Sequence, residues 1–427
     1  MKKIKLRSML AVFTALVIGI SLCSCAAPSG TAQSDTKAVF RASALSDGYV
    51  RGFFGDRTVD ADFADIYSEF SFALFDKLLT GEDENLFISP FSVMTCLGMI
   101  ANGARGETKA QLEAMLGADI DTLNRSLAGV YDRLCAGGVF TSANSMWLRR
   151  DITLKPGFLQ ANADHYGADI FATDFDKSTL ADIDRWVSEK TDGMIEKFSD
   201  GLDPDYMIAL FLNAVCFDAE WAEEYVEDDI SDGSFRNRDG SKTAVKMLSS
   251  TEYTYMASRT AAGFAKKYRG ADGAPGFSFV GIMPKNRNAD IYKFARSLDA
   301  SSWAELWGNR GGKVEVKLPE FSFDCREELN DALKALGAVD MFDRTLADFG
   351  DASELLGACN SVLHKTHIEV NRDGTRAAAV TGATYCGGMN DTPVHRLVFD
   401  RPFVFMIVDY ATGIPLFVGV TANIATA

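Results

Sequence analysis

Four histidines, eight cysteines and 59 acidic side chains are the groups from which this 427-residue chain could assemble a catalytic or metal site. Each chemistry asks for its own spacing. A serine nucleophile sits in a G-x-S-x-G elbow, and phosphates sit in G-x-x-x-x-G-K-[ST] or G-x-G-x-x-G loops; the chain has none of these. The histidines are His165, His364, His367 and His395. His364 and His367 are three apart, and on a strand that spacing sends the rings to opposite faces, which argues against a shared metal. The acidic stretch 218–232 lacks the alternating ligands and glycine of a calcium loop and reads as a solvated face. Carboxylate pairs suited to glycoside cleavage occur in any chain this acidic, and nothing selects one pair. Six cysteines lie beyond the N-terminal segment: Cys96, Cys135, Cys216, Cys325, Cys359 and Cys386. An even number in an exported chain permits disulfides. None is closely spaced, however, and Cys96 and Cys216 lie in apolar runs, so free thiols acting as small apolar side chains are expected. No metal or cofactor is implied, and the chain does not read as an enzyme.

The elements that would position such groups are legible from periodicity. Phe63, Ile66, Phe70, Leu74 and Leu78 recur at three- and four-residue spacing, predicting an amphipathic helix over 62–80. Residues 85–88 form a short strand, and Ser89-Pro90 starts a helix running through Met99, with proline at a tolerated early position. Gly103, Gly106 and Thr108 mark a turn and the cap of a third helix that ends at Leu116-Gly117. Residues 209–217 are apolar around one polar group, Asn213, as in a strand covered on both faces. Val314, Val316 and Leu318 alternate with Lys313, Glu315 and Lys317, the period of a half-exposed strand. Residues 324–336 read as a capped helix, with Leu329, Leu333 and Leu336 on one face and Gly337 ending it. Two β-rich runs, 397–408 and 415–420, flank a turn over 409–413. No repeat or composition shift divides 62–424, so the reading is one mixed α+β domain.

Composition is globular, 47% hydrophobic and 24% charged, with a formal charge of −16. Nucleic acid needs clustered lysine and arginine, so it is excluded as a partner. The acidic surface serves solubility. At the N-terminus Lys2, Lys3, Lys5 and Arg7 precede an apolar run over 9–22, the pattern of a secretory signal that is too short to span a membrane. The run closes on Leu22-Cys23-Ser24-Cys25, which resembles a bacterial lipobox with small Ser24 before Cys25. Removal of residues 1–24 and lipidation of Cys25 are expected, giving an exported protein held at the cell surface. Residues 25–61 are rich in Ser, Gly, Ala, Thr and Asp and read as a polar tether.

Several separated segments of 62–424 resemble the serpin family. Asn85-Leu86-Phe87-Ile88-Ser89-Pro90-Phe91-Ser92 is similar to the family's N-x-x-x-S-P-x-S, and Gly103-Ala104-Arg105-Gly106-Glu107-Thr108 to its G-A-x-G-x-T. Asn213-Ala214-Val215-Cys216-Phe217, with Trp221 four residues on, resembles N-A-x-x-F-x-x-x-W. Leu318-Pro319-Glu320-Phe321, Ala347-Asp348-Phe349, His364-Lys365 with Ile368-Glu369-Val370-Asn371, and Asp400-Arg401-Pro402-Phe403 follow in the family's order. Any one is weak; the ordered set is specific. The resemblance implies an α+β fold of three β-sheets and eight or nine helices, with an exposed reactive-centre loop near 374–394. It implies a polar shutter of Ser89, Ser92, Asn213 and His364 beneath the main sheet. Buried polar groups such as these need partners.

The resemblance also implies a mechanism. The loop is cut by a serine protease, and its N-terminal part enters the main sheet as a new strand while the enzyme stays attached as a covalent acyl complex. A strand entering a packed sheet must show small residues on its core face. Thr375, Ala377, Ala379 and Thr381 share one face and are small, and Gly374 lets the hinge turn. Arg372 and Arg376 stand where the family usually has glutamate. Arg376 would project to solvent, whereas Arg372 falls near Trp221, where a basic partner usually meets the glutamate, so that contact is left open. Counting on from Gly374 places the cut at Gly388, and counting back from Pro402 lands near Asp391. The candidates are Tyr385, Cys386, Gly388, Met389 and Asn390. The window 385–391 holds no Lys or Arg, so elastase-, subtilisin- or chymotrypsin-like targets are expected over trypsin-like ones. The inhibitor is expected to be a monomer. A non-inhibitory serpin acting as a binding or chaperone-like module is the alternative, and a surface hydrolase is disfavoured.

Overall fold

Side-chain caps fix where several helices begin. The computed structural model describes residues 42–44, 57–80, 84–270, 276–359, 361–375 and 394–425. Its first helix, Phe63–Leu78, buries Phe63, Tyr67, Phe70, Leu74, Phe75 and Leu78 along one stripe. The next, Pro90–Ala101, is buried on every side, as its nearly continuous apolar sequence requires. The Ser89 hydroxyl accepts the Ser92 N–H at its start, with Pro90 in the first turn. Asp119 and Asp176 cap Ile120–Cys135 and Lys177–Lys190 in the same way. Nine α-helices lie among the described residues.

These helices surround three sheets. One has six antiparallel strands in the order Leu86–Ile88, Pro415–Thr421, Phe403–Asp409, Phe277–Pro284, Ala261–Lys267 and Met256–Ala257. A second orders His395–Val398, Val314–Pro319, Lys242–Glu252 and Ile230–Arg236, with its first pair parallel. The third is split into two hydrogen-bonded halves. One half carries Asp169–Thr173, Phe140–Arg149 and Ala209–Phe217; the other carries Phe321–Glu328 and Leu363–Val370. No pairing among the described residues joins the 209–217 strand to the 363–370 strand. Among the described residues a backbone ladder joins the halves where Gly374–Thr375 pairs with Val370 on one side and with Ala219–Glu220 on the other.

The sequence reading fails at two places. Residues 324–336 are not one helix: Phe321–Glu328 is a strand and only Asn330–Ala335 is helical. Pairing with the 363–370 strand, distant in sequence, overrides the local pattern. The run 397–408 is likewise broken, because Phe399 to Pro402 separates strands belonging to different sheets, and proline cannot donate to a ladder. Cys96, Cys325 and Cys359 are free thiols, with Cys96 and Cys325 buried. Cys386 and the Cys216 side chain lie outside the described residues.

Candidate functional site

The two faces of the 209–217 strand differ in burial. Leu210, Leu212 and Ala214 pack with Ile183, Trp186 and Val187 of the Lys177–Lys190 helix and are buried. The alternate residues Phe211 and Val215 pack on the main core but are only half-buried. Across the gap, His364, Thr366, Ile368 and Val370 are buried while their alternates are not. Among the described residues the two facing edges share no ladder, which leaves a slot between them.

Beneath the slot, three of the four shutter residues converge. Ser89 is fully buried; its N–H donates to His364 Nε2 at 2.9 Å and its hydroxyl donates to the Leu416 carbonyl at 2.9 Å. Ser92 joins through its own N–H. Burial pushes the His364 imidazole down to about 4, so the ring is neutral and Nε2 is free to accept. His367, on the opposite face, instead meets Asp324 at 2.8 Å. Asn213 is turned elsewhere: its Nδ2 donates to Ser142 Oγ at 2.8 Å and Asn144 Oδ1 at 2.6 Å. Among the described residues no hydrogen bond links it to Ser89, Ser92 or His364, and none reaches its buried Oδ1.

At the other end a tryptophan holds the turn into the loop. Trp221 is fully buried; its N–H donates to the Asp373 carbonyl and its indole Nε1 to the Asn371 carbonyl, both at 3.0 Å. Its ring stacks on Tyr268 at 4.6 Å, and the Tyr268 hydroxyl lies 2.5 Å from Thr375 Oγ1. Thr375 is 4% exposed. Gly374 is needed here for a reason other than turning: its φ is not positive, but a Cβ would stand 2.2 Å from the Ala219 carbonyl oxygen. Only glycine lets the two backbones approach that closely. Arg372 finds acids after all, its guanidinium 3.0 Å from Glu227 and its N–H donating to Glu320 at 3.0 Å.

Sequence reasoning missed the residues beside this hinge. Tyr268 carries no motif that points to Thr375. Lys266, almost wholly buried, pairs with Glu252 at 3.2 Å and stands 5.6 Å from the Trp221 ring and 4.5 Å from that of Tyr225. Burial raises the Glu252 carboxyl above its ordinary range, against the pull of Lys266. A lysine ending an apolar run was the only available signal. Arg376, Ala377, Ala379, Thr381, Tyr385, Cys386, Gly388, Met389 and Asn390 lie outside the described residues, as do residues 1–24 and Cys25.

The profile of the serpin family, described as serine protease inhibitors, matches residues 65–424. Leukocyte elastase inhibitor A of Mus musculus is 29% identical over 356 residues, spanning 78% of this chain and 92% of its own. A serpin-like protein of Thermococcus kodakarensis is 30% identical over 370 residues, spanning 83% and 84%. Among solved structures, the thermophilic serpin tengpin in its native state gives a TM-score of 0.83 at 34% identity, covering 90% of this chain and 100% of that one. In its latent state tengpin gives 0.75 at 32% identity, covering 87% and 100%. With the family's motifs in order and its profile spanning nearly every described element, the chain belongs to the serpins, a family of protease inhibitors and not of enzymes.

Proposed function

We propose that this serpin is a single-use inhibitor that traps serine proteases by drawing its own cut loop into the slot. The observation that carries the reading is the two-residue strand Gly374–Thr375, which already bridges the two halves of the split sheet where the loop departs. The protease serine Oγ attacks the carbonyl carbon of Gly388 or Met389. Its proton passes through the protease histidine to the departing amine, and the N-terminal part of the loop stays esterified to the serine. Residues from Arg376 onward then extend the bridging ladder and carry the enzyme with them, distorting its triad before water can attack the ester. The greater likeness to native than to latent tengpin supports taking the described fold as the starting state. The absence of Lys and Arg from 385–391 supports elastase-, subtilisin- or chymotrypsin-like targets. Incubation with pancreatic elastase should give an SDS-stable complex on a gel. A nicked inhibitor with no complex would favour the binding or chaperone-like alternative.

The same proposal places the inhibitor at a membrane surface through lipid on Cys25, supported by the Leu22-Cys23-Ser24-Cys25 segment. Cys25→Ala should move the protein from the membrane fraction into the medium. Unchanged partitioning would refute the anchor.

A further inference from the structure

Two ladders fix where an inserted loop would lie. Thr375 faces Ala219 on one side and Val370 on the other, both antiparallel. The ladder between Phe140–Arg149 and Ala209–Phe217 runs without a shift, and the Asp218 N–H still donates to the Val139 carbonyl at 2.9 Å, so the 209–217 strand continues to Ala219 in the same register. Extending both ladders sets Thr381 between Asn213 and His364, Ala383 opposite Phe211, and Tyr385 opposite Ala209. In the inserted strand, odd-numbered loop residues would share the core-facing side of Thr375. The sequence supplies alanine at 377, 379 and 383 and threonine at 381, and then, abruptly, a tyrosine at 385.

A packed floor would reject that ring. At this end of the slot, however, the floor is hollow. A cavity of about 340 Å³ opens between Ala209 and Leu363, over an apolar floor that includes Cys96, Ile100, Phe158 and Phe349. About 150 Å³ of apolar cavity is enough to hold benzene, so a phenol ring fits. The geometry points to this cavity as the seat of Tyr385, which locks the far end of the inserted strand close to the acyl bond. The inference rests on the insertion reading above and adds its register and its anchor. Asn213 supports the same register independently. Its buried Oδ1 lacks a donor in the described fold, and the Thr381 hydroxyl arrives opposite it.

Cys359 also lines the cavity, is free and is only partly buried, so its thiol reports whether the cavity is filled. The full chain and Tyr385→Ala are each cut after Gly388 or Met389, with the bond verified by mass spectrometry. Alkylation of Cys359 by N-ethylmaleimide is then followed peptide by peptide, with Cys135, which does not line the cavity, as internal control. Cleavage should slow Cys359 alkylation severalfold in the parent and far less in Tyr385→Ala, while both gain melting temperature. Equal protection in the two proteins, or none in the parent despite a raised melting temperature, overturns the Tyr385 seat and leaves insertion standing. No rise in melting temperature in either protein removes the insertion reading and this inference together.

Discussion

The six-stranded sheet and the split sheet are made of similar apolar strands, but among the described residues only the first has its central strands paired along both edges. In Phe277–Pro284, Phe403–Asp409 and Pro415–Thr421 every residue is buried, and each strand has a partner on both sides. Phe87 stacks there on Phe405 and Phe417 at 5.4 and 5.2 Å. In the split sheet, Ala209–Phe217 and Leu363–Val370 each lack a partner on the facing edge, among the described residues, and Phe211 and Val215 stay half-buried. In the proposed mechanism the second would gain two ladders and the burial of its core-side row, which would put the intact fold above the inserted one in free energy.

The largest expected effect tests that contrast directly. Cleavage within 385–391 should raise the melting temperature by tens of degrees, because a new central strand completes both ladders. A nick that leaves calorimetric melting unchanged would mean that the split sheet is as finished as its neighbour.

Thr375→Arg comes next. In the inserted form the guanidinium would be buried without a partner, at several kcal/mol, and in the intact form it would expel the bridging strand. Insertion should slow, the acyl-enzyme should hydrolyse, and titration against elastase should show a higher stoichiometry of inhibition. Unaltered stoichiometry would contradict the core-facing position of Thr375 in the mechanism.

His364 sharpens the contrast most gently. Its folded value of about 4 lies below the ordinary 6.5 because burial disfavours the imidazolium. Below the ordinary value the unfolded chain therefore takes up a proton that the fold refuses. The contribution is fully present above about pH 6.5 and is lost as pH falls towards about 4. From neutral pH to about pH 5 the parent should lose about 2 kcal/mol more stability than His364→Gln, read from urea midpoints. Parallel losses would mean that the slot floor does not hold histidine neutral.

What was legible in the sequence was what short range decides. The Phe63–Leu78 stripe, the Ser89-Pro90 start and the alternation over Val314–Pro319 all follow from local periodicity or capping. The strand Phe321–Glu328 was not legible, because its charged residues suit a helix surface and only the partner strand decides otherwise. The hinge environment was half legible. Small residues at Gly374 and Thr375 were visible, but the closeness of the Ala219 carbonyl and the Tyr268 hydroxyl depends on segments more than a hundred residues away. Asn213 stood out as a polar group in an apolar run, yet its partners Ser142 and Asn144 lie on a strand that the motifs do not mark.

The bridge at Gly374–Thr375 has a kinetic meaning as well as a structural one. Beginning a strand is the improbable step, since residues must be ordered before much hydrogen bonding is returned. Here one end is already seated between Val370 and Ala219. In the proposed mechanism, insertion is therefore propagation from a standing nucleus, proceeding one residue at a time from a fixed end. The contest with water for the acyl bond then becomes a race between a zipper and a hydrolysis, and the zipper starts already engaged.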